Sequence, residues 1–306
     1  MSPKQLLLNL FGIVLVSSIY FWTPSQPNQI FHGFYSFQSG TILFVDSSAA
    51  GTNDGSNWTN AFTDLELALN AANPCDTILV AKGTYYPAVL DRDSSFNLVD
   101  SVVMLGGFAP AEGDSLIGDR DWVCNKTILS GNIGDPEDNA DNSYHVVYTY
   151  LASNLLVVDG FYVLDGYADG TFSESSGAGW YNNGIGTGDT SNPTIINCFI
   201  SNNFAQESGG GMFNDGRFGG IASPVLLNCV ISGNHSQGNG GGLYNYAESP
   251  GSESSPLLIN SILSGNLAEG RGGAMYNNSE TNNCKSEPVL VNCVLAGNQA
   301  FDEGGA

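Results

Sequence analysis

Basic residues are scarce in this sequence. Eight Lys and Arg stand against 30 Asp and Glu in 306 residues, a formal charge of −22. A surface this acidic repels phosphate backbones and anionic headgroups, which argues against nucleic acid as a partner and against polybasic attachment to membranes. Cysteine is sparse as well. There are six, with no CxxC pair and no His at metal-finger spacing, so neither a zinc site nor a disulfide scaffold is expected. Beyond the N-terminus no segment approaches the ~18 to 20 apolar residues of a membrane helix. Helical periodicity is missing from the second half, which excludes stacked helical repeats. What is abundant is glycine, 39 residues, without the Gly-X-Y period of collagen.

The glycines belong to a repeat. Gly177-Ala-Gly-Trp-Tyr-Asn182, Gly209-Gly-Gly-Met-Phe-Asn214, Gly240-Gly-Gly-Leu-Tyr-Asn245 and Gly272-Gly-Ala-Met-Tyr-Asn277 recur every 31 or 32 residues. Each is followed by a Pro-led apolar segment, as in Pro224-Val-Leu-Leu-Asn-Cys-Val-Ile-Ser-Gly-Asn234. Three asparagine series keep step: 182, 214, 245, 277; 197, 228, 260, 292; and 203, 234, 266, 298. A unit this short cannot cover its own apolar face, so units must stack. Short, β-branched, alternating segments punctuated by Gly and Asn-Gly predict strands joined by tight bends, one coil per repeat. The fold class expected is all-β: a single-stranded parallel β-helix. Its coils would stack at about 4.8 Å, with asparagines in axial ladders and Tyr181, Phe213, Tyr244 and Tyr276 in an aromatic column. Cys198, Cys229 and Cys293 share a register with Ser261. Cys198 and Cys229 are close enough on adjacent coils for a disulfide; the other reading is a stack of small buried side chains, which Ser261 can join.

The first half is less regular. Thr41 to Asp46 reads as a strand. Phe62, Leu65, Leu69 and Ala72 mark one face of a short amphipathic helix, with Thr59 or Asn60 as its cap, and Asp76 to Ala81 reads as a buried strand. Together they predict an N-terminal cap closing the apolar end of the solenoid. At the very start, Lys4, the apolar run Leu6 to Val16, and Ser17 and Ser18 read as a secretory signal or a retained anchor. The expected organisation is a signal peptide or anchor over 1–24, a cap and first coils over 40–110, irregular coils with an acidic loop over 111–176, and regular repeats over 177–306. The last unit opens at Gly304-Gly-Ala306 and stops, so further coils and an anchor or sorting domain are expected beyond it.

Several elements carry a family resemblance. Val45-Asp46, Asn57-Trp58, Asp76-Thr-Ile, Gly83-Thr-Tyr, Gly106-Gly-Phe108, Asp119-Arg-Asp-Trp122 and Val158-Asp-Gly-Phe161 resemble secreted right-handed parallel β-helix repeat proteins, best known from Bacteroidota and related bacteria. Gly272-Gly-Ala-Met275 and Phe199-Ile-Ser-Asn202 are similar to the repeats of polymorphic outer membrane proteins. The resemblance spans about 40 to 306. It implies a pectin-lyase-like, right-handed β-helix and export to the cell surface or medium, and it names no activity. The partner it implies is an extracellular glycan or surface molecule. Membrane contact would come only through the N-terminal segment or a missing C-terminal anchor.

Enzymes of that fold give the chemical alternative, a polysaccharide lyase or glycoside hydrolase. From residue 40 on, the His-Gly and Arg-x-Lys elements of polygalacturonase-type hydrolases are absent. The cationic candidates in the coils are Arg217, Arg271 and Lys285, and no pair of basic residues recurs at the repeat spacing. Asp and Glu of the coils read as confined to loops and bends. His145, alone at a strand start, reads as structural, and no Ser-His-Asp or Cys-His grouping is legible. No catalytic residue is therefore assigned, and no cofactor is required. The one metal candidate is the bent loop 132–142, where Asp135, Glu137, Asp138 and Asp141 offer oxygens of the kind Ca²⁺ takes. The function expected is binding, adhesion or display without catalysis.

Overall fold

The computed structural model describes residues 40–87, 91–115 and 117–305. The expected signal or anchor over 1–24 lies outside them. The described chain is a parallel β-solenoid of about eight coils. Its four faces are sheets of eight, seven, five and six strands, and every pairing between named strands is parallel. Parallel crossovers of this kind are right-handed in about 98% of cases.

One coil shows the construction. Val225–Leu227 lies on the eight-stranded face. Asn228 turns the chain at φ 54°, and Val230–Ser232 enters the seven-stranded face. Gly233, at φ 64°, turns it again into His235–Ser236 on the five-stranded face. Gly240, at φ 67°, leads into Leu243–Ala247 on the six-stranded face. A projecting loop then returns to the next coil. Left-handed backbone costs an ordinary residue about 1 to 2 kcal/mol, and asparagine and glycine tolerate it best. That is why those two residue types recur at the bends.

The three asparagine series form ladders as expected. Asn197, Asn228, Asn260 and Asn292 all sit in the left-handed region, at φ 51 to 54°. Their backbone N–H groups donate to the residue before the next asparagine, as Asn228 does to the Ile259 carbonyl at 2.9 Å. The inner series runs amide to amide. Asn182 donates to Asn214 at 3.0 Å, Asn214 to Asn245 at 2.8 Å, and Asn245 to Asn277 at 2.7 Å. In the third series Asn234 Nδ2 donates to Asn266 Oδ1 at 3.0 Å and to the Ile200 carbonyl at 2.9 Å. Asn182, Asn214, Asn234 and Asn245 are fully buried. A buried amide left unpaired costs about 1 to 3 kcal/mol, so each rung depends on the next. The thiols of Cys198 and Cys229 are free and point at carbonyls, those of Val158 and of Ile195 and Leu227. Ser261 continues the stack, its hydroxyl 3.0 Å from the Ile259 carbonyl.

At the N-terminal end the strand Ile42–Val45 pairs with Thr77–Ala81. The helix is shorter than its apolar pattern suggested. It runs Leu65–Ala71 and is capped by Asp64, which accepts from the Glu66 N–H at 2.9 Å; the expected caps at Thr59 and Asn60 belong to a 3₁₀ turn capped by Asn57. The reason is upstream. Phe62 is held extended by bonds to Phe44 and Asp46, so helix cannot begin before it. Leu65, Ala68 and Leu69 pack on the end of the core beside Leu43 and Val45. No helix among the described residues is long and apolar enough to cross a membrane.

Candidate functional site

The six-stranded face carries a column of outward aromatic side chains beside a column of polar ones. Strand alternation sends Trp180, Met212 and Leu243 into the core and the next residue outward. Tyr181, Phe213, Tyr244 and Tyr276 thus form the expected column, with ring centroids 5.3, 5.0 and 5.5 Å apart in that order, and Tyr148 extends it at 5.8 Å from Tyr181. Such pairs add about 0.5 to 1.5 kcal/mol each beyond area burial. The column is not bare: Tyr181 and Phe213 are 1% and 4% exposed. Glycine bends flank it closely. A Cβ on Gly177 would lie 2.9 Å from the Phe213 Cβ.

Two residues along, a second outward column holds Asn183, Asp215, Tyr246 and Asn278. Asp215 is fully buried. Tyr181 Oη donates to its Oδ2 at 2.6 Å, while Arg217 Nε and Nη2 donate to Oδ1 and Oδ2 at 2.8 and 2.6 Å. The hydrogen-bonded Asp215 carboxylate holds the Arg217 guanidinium well above its usual pKa, and burial pushes the Tyr181 phenol up as well. The guanidinium lies 5.2 Å from the Tyr246 ring and 5.8 Å from that of Phe218. Phe218 is 54% exposed and holds φ 57°, an uncommon conformation for a bulky side chain. Around this group Tyr246 Oη donates to Glu280 at 3.3 Å, and Asn278 donates to Tyr244 Oη at 3.1 Å and to Glu280 at 2.9 Å.

Here the sequence reading needs correction. Asp215 does not lie in a loop or bend; it ends the strand Met212–Asp215. Its place follows from register, since Asn214 is an inner ladder residue and the next position must face outward. The Asp215-x-Arg217 spacing was the available signal. The other cationic candidates lie elsewhere. Arg271 is exposed on a glycine bend, with Nε 3.5 Å from Glu303. Lys285 is exposed in a loop whose backbone bonds Ser252 and Ser254.

His145 is buried, as a structural reading requires. Its ring lies 5.0 Å from that of Tyr181, its Nδ1 is 3.1 Å from the Gly177 carbonyl, and burial lowers its pKa to about 4. In the 132–142 loop the carboxylates serve the backbone. Asp135 accepts from Glu137 N–H at 3.0 Å, Asp138 caps the 3₁₀ turn Asn139–Asp141 through Ala140 N–H at 2.9 Å, and Asp141 Oδ2 accepts from Asp135 N–H at 2.6 Å. No such bond brings the Glu137 side chain to the others. Among the described residues no three His, Cys, Asp or Glu side chains are grouped to hold a metal. Oxygens of Asn132, Asp141 and Asn142 in this loop are nevertheless buried without a hydrogen-bond partner.

A buried ion pair went unnoticed in the sequence. Arg120 reaches from the irregular coils to bond Asp159, with its guanidinium 4.9 Å from the Trp122 ring, and Asn197 Nδ2 donates to the other Asp159 oxygen at 2.8 Å. Burial works against the charge on both partners, pushing the Asp159 carboxyl up and the Arg120 guanidinium down.

No protein-family model matches the chain, and no curated protein does. Two solved structures are similar. One is a rhamnogalacturonan lyase, with a TM-score of 0.39 and 14% identity over 84% of this chain and 62% of that one. The other is a pectate lyase, with a TM-score of 0.37 and 13% identity over 84% of this chain and 79% of that one. The chain therefore spans about 62% of the length of the first of them. The architecture rests on the chain's own strand pairing, which makes it a parallel β-solenoid.

Proposed function

We propose that this is a secreted or cell-surface β-helix protein that binds an extracellular glycan or surface partner on its six-stranded face and leaves it uncut. The observation that carries the reading is the closed Tyr181–Asp215–Arg217 group beside the outward rings of Phe218 and Tyr246. Elimination needs a free base beside the acidic sugar carbon, and glycoside hydrolysis needs two working carboxyl groups. Here one buried carboxylate engages the guanidinium through both oxygens and takes a phenol hydrogen bond as well. What faces outward is a set of rings and amides, groups that stack on sugar rings and bond hydroxyls. The charge of −22 favours a neutral glycan over a polyuronate. No cofactor is required.

Affinity electrophoresis through gels containing neutral polysaccharides tests this. Phe218→Ala and Tyr246→Ala should each weaken retention about 3- to 10-fold, the worth of one aromatic contact. Retention unchanged in both variants would remove the six-stranded face from consideration. Calcium in the 132–142 loop belongs to the same proposal and is supported by the unpartnered oxygens of Asn132, Asp141 and Asn142. A melting temperature indifferent to millimolar Ca²⁺ and to chelator counts against it.

A further inference from the structure

At the N-terminal end of the six-stranded face the repeat pattern breaks and leaves a cleft of about 240 Å³. The register explains it. Val147 pairs with Trp180, so Tyr144-His145-Val146 stands where later coils carry Gly177-Ala-Gly179 or Gly209-Gly-Gly211. Side chains thus project where other coils have bare backbone. The cleft is walled by the rings of Tyr144, His145 and Tyr148. Asp93 and Glu174 supply two carboxylates at its edge, and Ser95, Asn97 and Ser173 complete it.

Its polar groups are mostly acceptors. Among the described residues the Asp93 side chain takes part in no hydrogen bond, while one Glu174 oxygen accepts from the Thr171 N–H at 3.3 Å and the other has no such partner. With Nδ1–H donated to the Gly177 carbonyl, neutral His145 keeps Nε2 as an acceptor. The Asn97 amide is spent on the Ser95 carbonyl at 2.9 Å. No Lys or Arg lines the space. The nearest cation, Arg92, lies 4.2 Å from the centre of the Tyr144 ring but is committed to Asp169 at 2.5 Å and to the carbonyls of Asn142 and Tyr167. Two carboxylates without a counter-ion beside aromatic faces attract an organic cation, through charge and through the ring quadrupoles. The volume falls below the ~300 to 1,000 Å³ of sites for drug-sized ligands and suits one sugar-sized group.

We infer that this cleft binds a protonated amine on a sugar-sized group, such as a glucosamine unit of a deacetylated amino-glycan. The inference extends the glycan-binding reading to a second position on the same face, and its test separates the two. The probe is a glucosamine trisaccharide titrated calorimetrically into the full chain, beside its N-acetylated counterpart. The amine form should bind at least about tenfold more tightly, the equivalent of one charged contact. Asp93→Asn with Glu174→Gln should abolish that preference. The glutamine keeps an oxygen for the Thr171 N–H, so the 3₁₀ turn Phe172–Ser175 stays capped. Equal affinity for the two trisaccharides, no binding of either, or an amine preference that survives the double substitution would each overturn the assignment. Equal affinity for the two trisaccharides, in a chain whose retention by neutral polymer still falls in Phe218→Ala, would overturn the cleft and spare the wider reading.

Discussion

At the corner between the eight- and seven-stranded faces, the second half of the molecule stacks Asn197, Asn228, Asn260 and Asn292. The first half puts Gly160 at that station, at φ 84°, and Asp159, paired with Ile196 one residue earlier, accepts from Asn197. An asparagine satisfies its neighbour above and below with the same amide, so identical coils solve the problem collectively. An aspartate at the end of the series can accept from Asn197 but leaves a buried charge. A dedicated cation, Arg120, is brought from another loop to meet it. The bend before the six-stranded face shows the same contrast. Glycine triplets there allow close coil-to-coil approach, whereas Tyr144 and His145 help to build a cleft. Regular coils therefore carry stability in shared ladders, and irregular coils carry it in single pairs that have no substitute.

The sharpest way to break this contrast is Arg120→Met, which strands Asp159 in the core. Removing one partner of a buried pair costs about 3 to 5 kcal/mol. The carboxyl escapes part of that cost by taking a proton, so the loss in denaturant midpoint should be larger at pH 8 than at pH 5. A loss independent of pH would mean that Asp159 is not the stranded group. In the regular coils Asn234→Ala should cost about 2 to 4 kcal/mol, because the Asn203 N–H loses its acceptor and the Ile200 carbonyl and Asn266 Oδ1 lose a donor. A cost under 1 kcal/mol would show that the ladder is dispensable.

His145 sharpens the comparison through pH. Its folded pKa, about 4, lies below its unfolded value near 6.5. Its contribution is therefore fully present above about pH 6.5 and is lost as pH falls toward 4. The expected decline is on the order of 2 to 3 kcal/mol, and His145→Phe should flatten it. An identical pH profile in that variant would assign the acid sensitivity to other groups. The smallest effect belongs to the bends. Asn228→Val should cost about 1 to 2 kcal/mol for its left-handed backbone, and Asn228→Gly less. Equal stability of the two would mean that backbone conformation does not select asparagine there.

The same contrast decides what was legible in the sequence. Spacing announced the ladders and the Tyr181–Tyr276 column, because repetition turns sequence position into spatial position. The Asp215–Arg217 pair was missed although it lies within the repeats, since it occurs in one coil only and has no periodic signature. Arg120 and Asp159 are 39 residues apart, well away from the 31- or 32-residue period, and only the path of the irregular coils brings them together. The cap helix was placed correctly, but its start was read too early, because the bonds that hold Phe62 extended come from Phe44 and Asp46, outside the apolar pattern.

The central claim is binding without cutting, and one measurement addresses it most directly. The full chain is incubated with polygalacturonate, rhamnogalacturonan and a panel of neutral polysaccharides, with millimolar Ca²⁺ and without it. Retention, reducing ends and ultraviolet absorbance of unsaturated product are followed on the same samples. The account predicts retention by at least one neutral polymer with no rise in either product signal. A product signal that grows with time and disappears in Arg217→Ala would contradict it and make the Asp215–Arg217 face an active site.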